Sequence, residues 1–297
     1  MGIDTAIVSA YLRRTRKPLY SDAERYAQHL HRPKADAGPP RRLRRRCAVA
    51  EHTVEGFRHV TVAPHAGATS SGTAGSVVLY LHGGAYVNEI APQHWTLVGM
   101  LARAGAAVHV PLYGLAPQHT FTEAYAMLDA LYADLAVDAS ELTIMGDSAG
   151  GGLALGFAQT LRDSARPLPR ALTLIAPWLD IACRNPEIDA IEVYDPWLGK
   201  AGALVAGRGW AGGADPDDPR LSPVLGSMAG LPPIDAYYGT FDITYADAPA
   251  LARKCRDAET PLDLQVAAGA CHVHPLVPTR AGRAARRRIV TRATGNP

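Results

Sequence analysis

One serine stands between two glycines in Gly146-Asp147-Ser148-Ala149-Gly150. Before it, Leu142-Thr143-Ile144-Met145 reads as a buried strand; after it, Leu153, Phe157 and Leu161 recur at helical spacing. A strand that turns sharply into a helix lifts the serine hydroxyl clear of the sheet, which is the G-x-S-x-G arrangement of a nucleophile. Such a turn strains the backbone at Ser148 and brings the residues two positions away together, so Gly146 and Gly150 lack side chains. The start of the helix also aims free N–H groups at any anion that forms beside Ser148. A glycine-rich helix entry packed on a sheet would share the pentapeptide, but the flanking strand and helix favour the nucleophile.

A serine hydroxyl reacts poorly near neutral pH without a base, normally a histidine held by a third group. The strand–serine–helix turn goes with the chain order serine, acid, histidine. Of eleven histidines only His272 and His274 follow Ser148. Gly269 gives the chain freedom before His272, whereas Pro275 restricts His274 to extended conformations that suit packing, so His272 is the expected base. Asp242 is the first acid past an apolar strand at Ile234–Tyr238 and is the expected partner. Asp247 falls inside the next predicted helix, where a carboxylate near the N-terminus has a structural role. The oxyanion needs preorganised donors, each worth about 3 kcal/mol of barrier. His82-Gly83-Gly84-Ala85 follows another buried strand, so Gly83, Gly84 and Ala149 are the expected oxyanion hole.

The elements that must position these groups alternate along the chain. Val77–Leu81, Ala107–Val110, the Ser148 strand, Ala171–Ile175, Ile234–Tyr238 and Leu262–Val266 read as strands with continuous apolar character. Helices are expected around Trp95–Leu101, Phe121–Leu135, Thr244–Ala258 and Thr279–Arg292, the second opened by the capping box Thr120-Phe121-Thr122-Glu123. That alternation implies an α/β fold with a mostly parallel central sheet and helices on both faces. Two further strands are expected at Cys47–His52 and Phe57–Val62, and Gly67–Gly75 reads as a small-residue loop. Residues 178–223 lose regular patterning and read as an insertion with some short helix.

With 297 residues, 47% apolar and 20% charged, the chain can bury a large core as a single domain. No apolar stretch is long enough to span a bilayer, and the N-terminus lacks the order of a signal peptide, so the expected location is cytoplasmic. Four cysteines are spread widely with no C-x-x-C, which predicts free thiols and no metal site. Residues 1–46 hold twelve Lys and Arg against four acids, ending in Arg41-Arg42-Leu43-Arg44-Arg45-Arg46. No aromatic interleaving accompanies them, so a solvated face is expected there and no nucleic-acid partner. A homodimer is compatible with the sequence.

Taken together, these residues resemble the bacterial hormone-sensitive-lipase-like esterases of the α/β-hydrolase superfamily. The resemblance runs from about Pro40 to the C-terminal helix. It rests on Leu81-His82-Gly83-Gly84-Ala85-Tyr86, Tyr113-Gly114-Leu115-Ala116-Pro117, Gly146-Asp147-Ser148-Ala149-Gly150-Gly151 and Gly239-Thr240-Phe241-Asp242. Trp178-Leu179-Asp180 and Leu221-Ser222-Pro223 fit as well. Gly114 and Gln118 depart from it, standing where Arg and Glu are common. The resemblance implies an α/β-hydrolase fold with a helical cap from about residues 1–46 and 184–214. It also implies hydrolysis of short or medium acyl esters of a small-molecule substrate, with no cofactor. An amidase of the arylformamidase kind shares the same elements, and a non-catalytic small-molecule receptor shares the fold.

Overall fold

The computed structural model describes residues 2–65 and 75–295; the loop expected at 67–75 lies almost wholly outside the described residues. Three helices open the chain: α1 (Ile3–Thr15), α2 (Lys17–Tyr20) and α3 (Ala23–Leu30), with a single turn, α4 (Arg41–Arg44), in the arginine cluster. Leu43 is buried in that turn while the arginines on either side are exposed, as a solvated face requires. The strands are β1 (Ala48–Val54), β2 (Phe57–Ala63), β3 (Val77–Leu81), β4 (Ala107–Leu112), β5 (Leu142–Asp147), β6 (Ala171–Ile175), β7 (Ile234–Phe241) and β8 (Leu262–Cys271). Between and after them run α5 (Pro92–Arg103), α6 (Phe121–Leu135), α7 (Ala149–Asp163), α8 (Glu187–Glu192), α9 (Lys200–Ala211), α10 (Ala248–Asp257) and α11 (Arg280–Thr294).

The eight strands form one sheet in the order β1-β2-β4-β3-β5-β6-β7-β8. Pairing is antiparallel at β1–β2 and β2–β4 and parallel from β4 to β8. Continuous apolar strands are what such a sheet needs, because both faces are covered. On β3, Leu79 and Leu81 join the core formed with α6, α7 and α10, whereas Val78 and Tyr80 join that formed with α5 and α11. The alternation follows from the two-residue period of a strand.

Two sequence expectations shift at the C-terminal edge. The helix expected from Thr244 begins as a tight 3-10 turn over Ile243–Asp247 and becomes α-helical only at Ala248. The last strand runs on to Cys271, with its register against β7 broken between Gly239 and Phe241. Gly269 therefore lies inside an irregular strand rather than in a loop, at φ +69°, and donates its N–H to Thr240 Oγ1 at 2.8 Å.

The irregular stretch after β6 holds α8 and α9, and α9 packs on the N-terminal helices. A Cβ on Gly202 would fall 2.7 Å from the Tyr20 carbonyl oxygen, so glycine lets α9 approach closely there. Trp210, near the end of α9, is fully buried and stacks on Tyr86 with centroids 4.3 Å apart and planes 1° from parallel. No helix among the described residues is long and apolar enough to cross a membrane. Truncating Trp210 to alanine empties the contact between α9 and the loop after β3. Trp210→Ala is expected to lower stability by about 3–5 kcal/mol, read as a lower urea midpoint at unchanged slope.

Candidate active site

Ser148 sits at the junction of β5 and α7 with φ +53° and ψ −122°, a conformation that side chains rarely adopt. Its N–H donates to the Ile175 carbonyl at 2.8 Å, and its carbonyl accepts from Trp178 N at 2.9 Å, so the end of β6 and the segment after it fix the strained residue. A Cβ on Gly146 would lie 2.1 Å from the Gly150 carbonyl oxygen, and one on Gly150 would lie 2.1 Å from that of Leu81. The glycines read from the sequence are thus required by backbone approaching backbone.

The structure brings together the serine, base and acid expected from chain order. His272 Nε2 is 2.8 Å from Ser148 Oγ, and His272 Nδ1 is 2.8 Å from Asp242 Oδ2. Asp242 directly follows β7, is fully buried, and accepts Thr244 N on its other oxygen at 3.0 Å. Burial pushes the His272 imidazolium down, but the charge and hydrogen bond of Asp242, with Asp195 and Asp147 further off, leave its pKa above the ordinary value of 6.5. His274 turns away. It is buried, opens the short turn that ends at Leu276, and burial lowers it to about 4. Asp247 is also buried, pushed up to about 6 by burial, and accepts Asn185 Nδ2 at 3.0 Å.

The oxyanion loop corrects one expectation. Gly83 does not offer its N–H to a substrate, because that group donates to Asp147 Oδ1 at 3.1 Å. Tyr80 donates to the same oxygen at 2.6 Å, and His94 Nε2 stands 3.1 Å from Oδ2. Burial alone would raise the Asp147 carboxyl; His94, Tyr80 and the Gly83 N–H hold it below the usual range. The next two residues turn their backbone over, Gly84 at φ +131° and Ala85 at φ +56°. Among the described residues the N–H groups of Gly84, Ala85 and Ala149 have no acceptor. Sequence reading stopped one residue short. The acidic residue beside the nucleophile was the available signal, since a buried carboxylate must find donors nearby.

A cavity of about 440 Å³ opens over Ser148. Its floor includes Gly84, Ala85, Ser148 and His272, and Tyr11, Leu12, Leu19 and Tyr20 from the first two helices close it from above. Trp178 and Trp197 line it, whereas Tyr86 lies beneath, donating its hydroxyl to the Ala149 carbonyl at 2.7 Å. Trp197 stands edge-on to the His272 ring at 5.7 Å. Sequence reading also passed over Asp195, which is buried beside the acid. No group of three or more potential metal ligands is present among the described residues.

A sequence profile described as alpha/beta hydrolase fold matches residues 78–276. An acetyl-hydrolase of Streptomyces hygroscopicus is 34% identical over 212 residues, covering 69% of this chain and 71% of that protein. An ethyl acetate hydrolase of Pseudomonas putida is 34% identical over 217 residues, covering 67% of this chain and 66% of that protein. The crystal structure of an esterase from the bacterial hormone-sensitive lipase family superposes with TM-score 0.81 at 26% identity, covering 100% of this chain and 99% of that one. The chain belongs to the hormone-sensitive-lipase-like esterases of the α/β-hydrolase superfamily. As a member, this esterase is a serine hydrolase.

In this esterase the elbow tolerates no added side chain, because the atoms it would meet are backbone. Gly150→Ala is expected to cost about 3 kcal/mol or more and to lower turnover with it. Thermal unfolding followed beside an activated-ester assay tests both.

Proposed function

We propose that this esterase hydrolyses short or medium acyl esters through an acyl-enzyme on Ser148. The observation that carries the reading is the single imidazole of His272 held 2.8 Å from both Ser148 Oγ and Asp242 Oδ2. His272 takes the serine proton as Oγ attacks the ester carbonyl, and the buried Asp242 carboxylate stabilises the resulting imidazolium. The N–H groups of Gly84, Ala85 and Ala149 receive the oxyanion, each where it can donate without first breaking a bond. The alcohol leaves with the proton from His272. Water, deprotonated by the same imidazole, then releases the acid. Every step uses side chains, backbone and water, so the reading needs no cofactor.

The cavity volume supports the substrate class, since about 300–1,000 Å³ holds a small organic molecule. Residues 1–46 and 184–214 act in this reading as a cap over one domain. They supply apolar walls, which favour ester carbons over a charged or highly polar group. A matched ester and amide, and a series of straight-chain acyl esters, test ester preference and acyl length directly.

Ser148→Ala removes one oxygen and should lower turnover about a million-fold with the fold intact. His272→Ala should cost about a thousandfold or more, whereas His274→Ala should cost about tenfold or less through packing alone. Purified variants assayed on one activated ester, with circular dichroism as the folding control, separate these roles; a dead His274→Ala beside a mild His272→Ala would exchange them.

The pH dependence follows from the raised His272 value. The base works only when neutral, so activity rises as pH rises through its pKa. The acid limb of kcat/KM is therefore expected to lie above 6.5, the value of an unperturbed imidazole. A limb below that pH would show that burial outweighs the stabilisation of the charged ring by Asp242.

A further inference from the structure

Asp195 belongs to the segment between α8 and α9, away from the strands that carry the acid and the base. Its side chain is fully buried, and its two oxygens accept three backbone N–H groups. Oδ1 accepts from Trp197 at 2.7 Å and from Leu198 at 2.9 Å. These two bonds close a local turn of the kind aspartate builds readily. The third bond is not local: Oδ2 accepts from Ile243 N at 2.9 Å. Ile243 directly follows Asp242, and the next N–H along, that of Thr244, goes to Asp242 itself. Two buried carboxylates thus divide successive N–H groups of one loop.

The same turn sets two aromatic contacts. Trp197 stands nearly perpendicular to the His272 ring with centroids 5.7 Å apart, and Tyr194 stacks on Phe241 at 5.5 Å, immediately before Asp242. A local turn alone does not require a charge here, and placing a second anion beside Asp242 is unfavourable. Burial, and then the like charge of Asp242, push Asp195 up to about 6. The titratable groups facing it are Asp242, just past β7, the Cys271 thiol at the end of β8, and His272 just past β8. The Lys17 ammonium of α2 sits at the Leu198 carbonyl beside Glu192, and the Arg13 guanidinium of α1 donates to the Tyr194 carbonyl at 2.9 Å. Of this set, only His272 gains positive charge during ester hydrolysis.

We propose that Asp195 is a positioning residue for the reaction: its carboxylate clamps Trp197 and the acid loop against His272, and its charge stabilises the imidazolium formed when Ser148 loses its proton. The inference rests on the Ser148–His272–Asp242 reading above. It predicts a specific pH effect. Removing an anion near His272 makes the imidazolium less stable, lowers its pKa and moves the acid limb to lower pH.

The test compares Asp195→Asn, Asp195→Glu and Ser148→Ala with the wild-type chain on one small activated ester across the pH range of activity, folding being checked by circular dichroism. Asp195→Asn should lower kcat about tenfold or more with KM changed less than about threefold, and should lower the acid limb by about half a pH unit or more. Asp195→Glu keeps the charge and should leave the limb where the wild type has it. Wild-type kcat and limb in Asp195→Asn, or a loss with the limb unmoved, overturns the inference. Should Asp195→Asn fail to fold, Ile243→Pro replaces it, deleting the N–H that joins the two loops, with Ile243→Ala as the control for the lost side chain, which is buried and lines the cavity. Proline fits the first position of a helical turn, and Asp242 before it is extended at φ −146° and ψ 121°. Relative to Ile243→Ala, Ile243→Pro should lower kcat about tenfold at a nearly constant KM, and equal kcat in the two overturns the clamp. Activity surviving in Ser148→Ala would instead overturn the reading of the site, whatever Asp195 does.

Discussion

The close approach of three backbones around Ser148 is the constraint on which the rest of the structure depends. The β5–α7 turn passes Gly146 against Gly150, and Gly150 against the Leu81 and His82 carbonyls, at distances that exclude any Cβ. Such contact is possible only if β3 and β5 are neighbours in the sheet, which their parallel register supplies from Val77–Leu142 to Leu81–Gly146. The strain at Ser148 persists because the Ile175 carbonyl and the Trp178 N–H bind its backbone from the adjoining segment. Nucleophile, oxyanion loop and sheet order are therefore one geometric problem.

Buried carboxylates then organise the polar groups around that turn. Asp147 and Asp242 are both buried, and each has its charge met by donors rather than by a lysine or arginine. Asp147 joins the elbow to the oxyanion loop through Gly83, leaving the following N–H groups pointing at the cavity without acceptors. A buried anion without such donors would cost several kcal/mol, so these bonds make the arrangement stable as well as oriented. Asp195 adds a third such carboxylate, supplied by the inserted segment.

The insertion and the N-terminal helices contribute differently from the sheet. They pack on one another at Gly202–Tyr20, Trp210 of the insertion stacks on Tyr86 of the loop after β3, and their apolar side chains line the cavity. The strands and turns that hold Ser148, Asp242 and His272 lie downstream of residue 77, so in the proposed function the roof bears on which substrates enter more than on the bonds made. Through Asp195 and Trp197 it nevertheless touches the acid and the base.

By itself the sequence determined the α/β alternation, the elbow and the order of serine, acid and histidine. These are local facts: apolar runs set strands, glycine spacing marks a turn that no side chain fits, and only two histidines follow Ser148. Asp242 was legible because a carboxylate at a strand end needs no long-range knowledge to be placed. Tertiary structure decided what depends on distant partners. Gly83 read as a donor from the sequence, but Asp147, 64 positions on, takes up its N–H, and the proposed donor set therefore includes Ala85 instead. Asp195 gave no signal, because the donor that distinguishes it, Ile243 N, lies 48 residues away. The extra residues in β8 around Gly269, and the aromatic roof of the cavity, likewise come from pairing and packing across the fold, where periodicity along the chain carries no information.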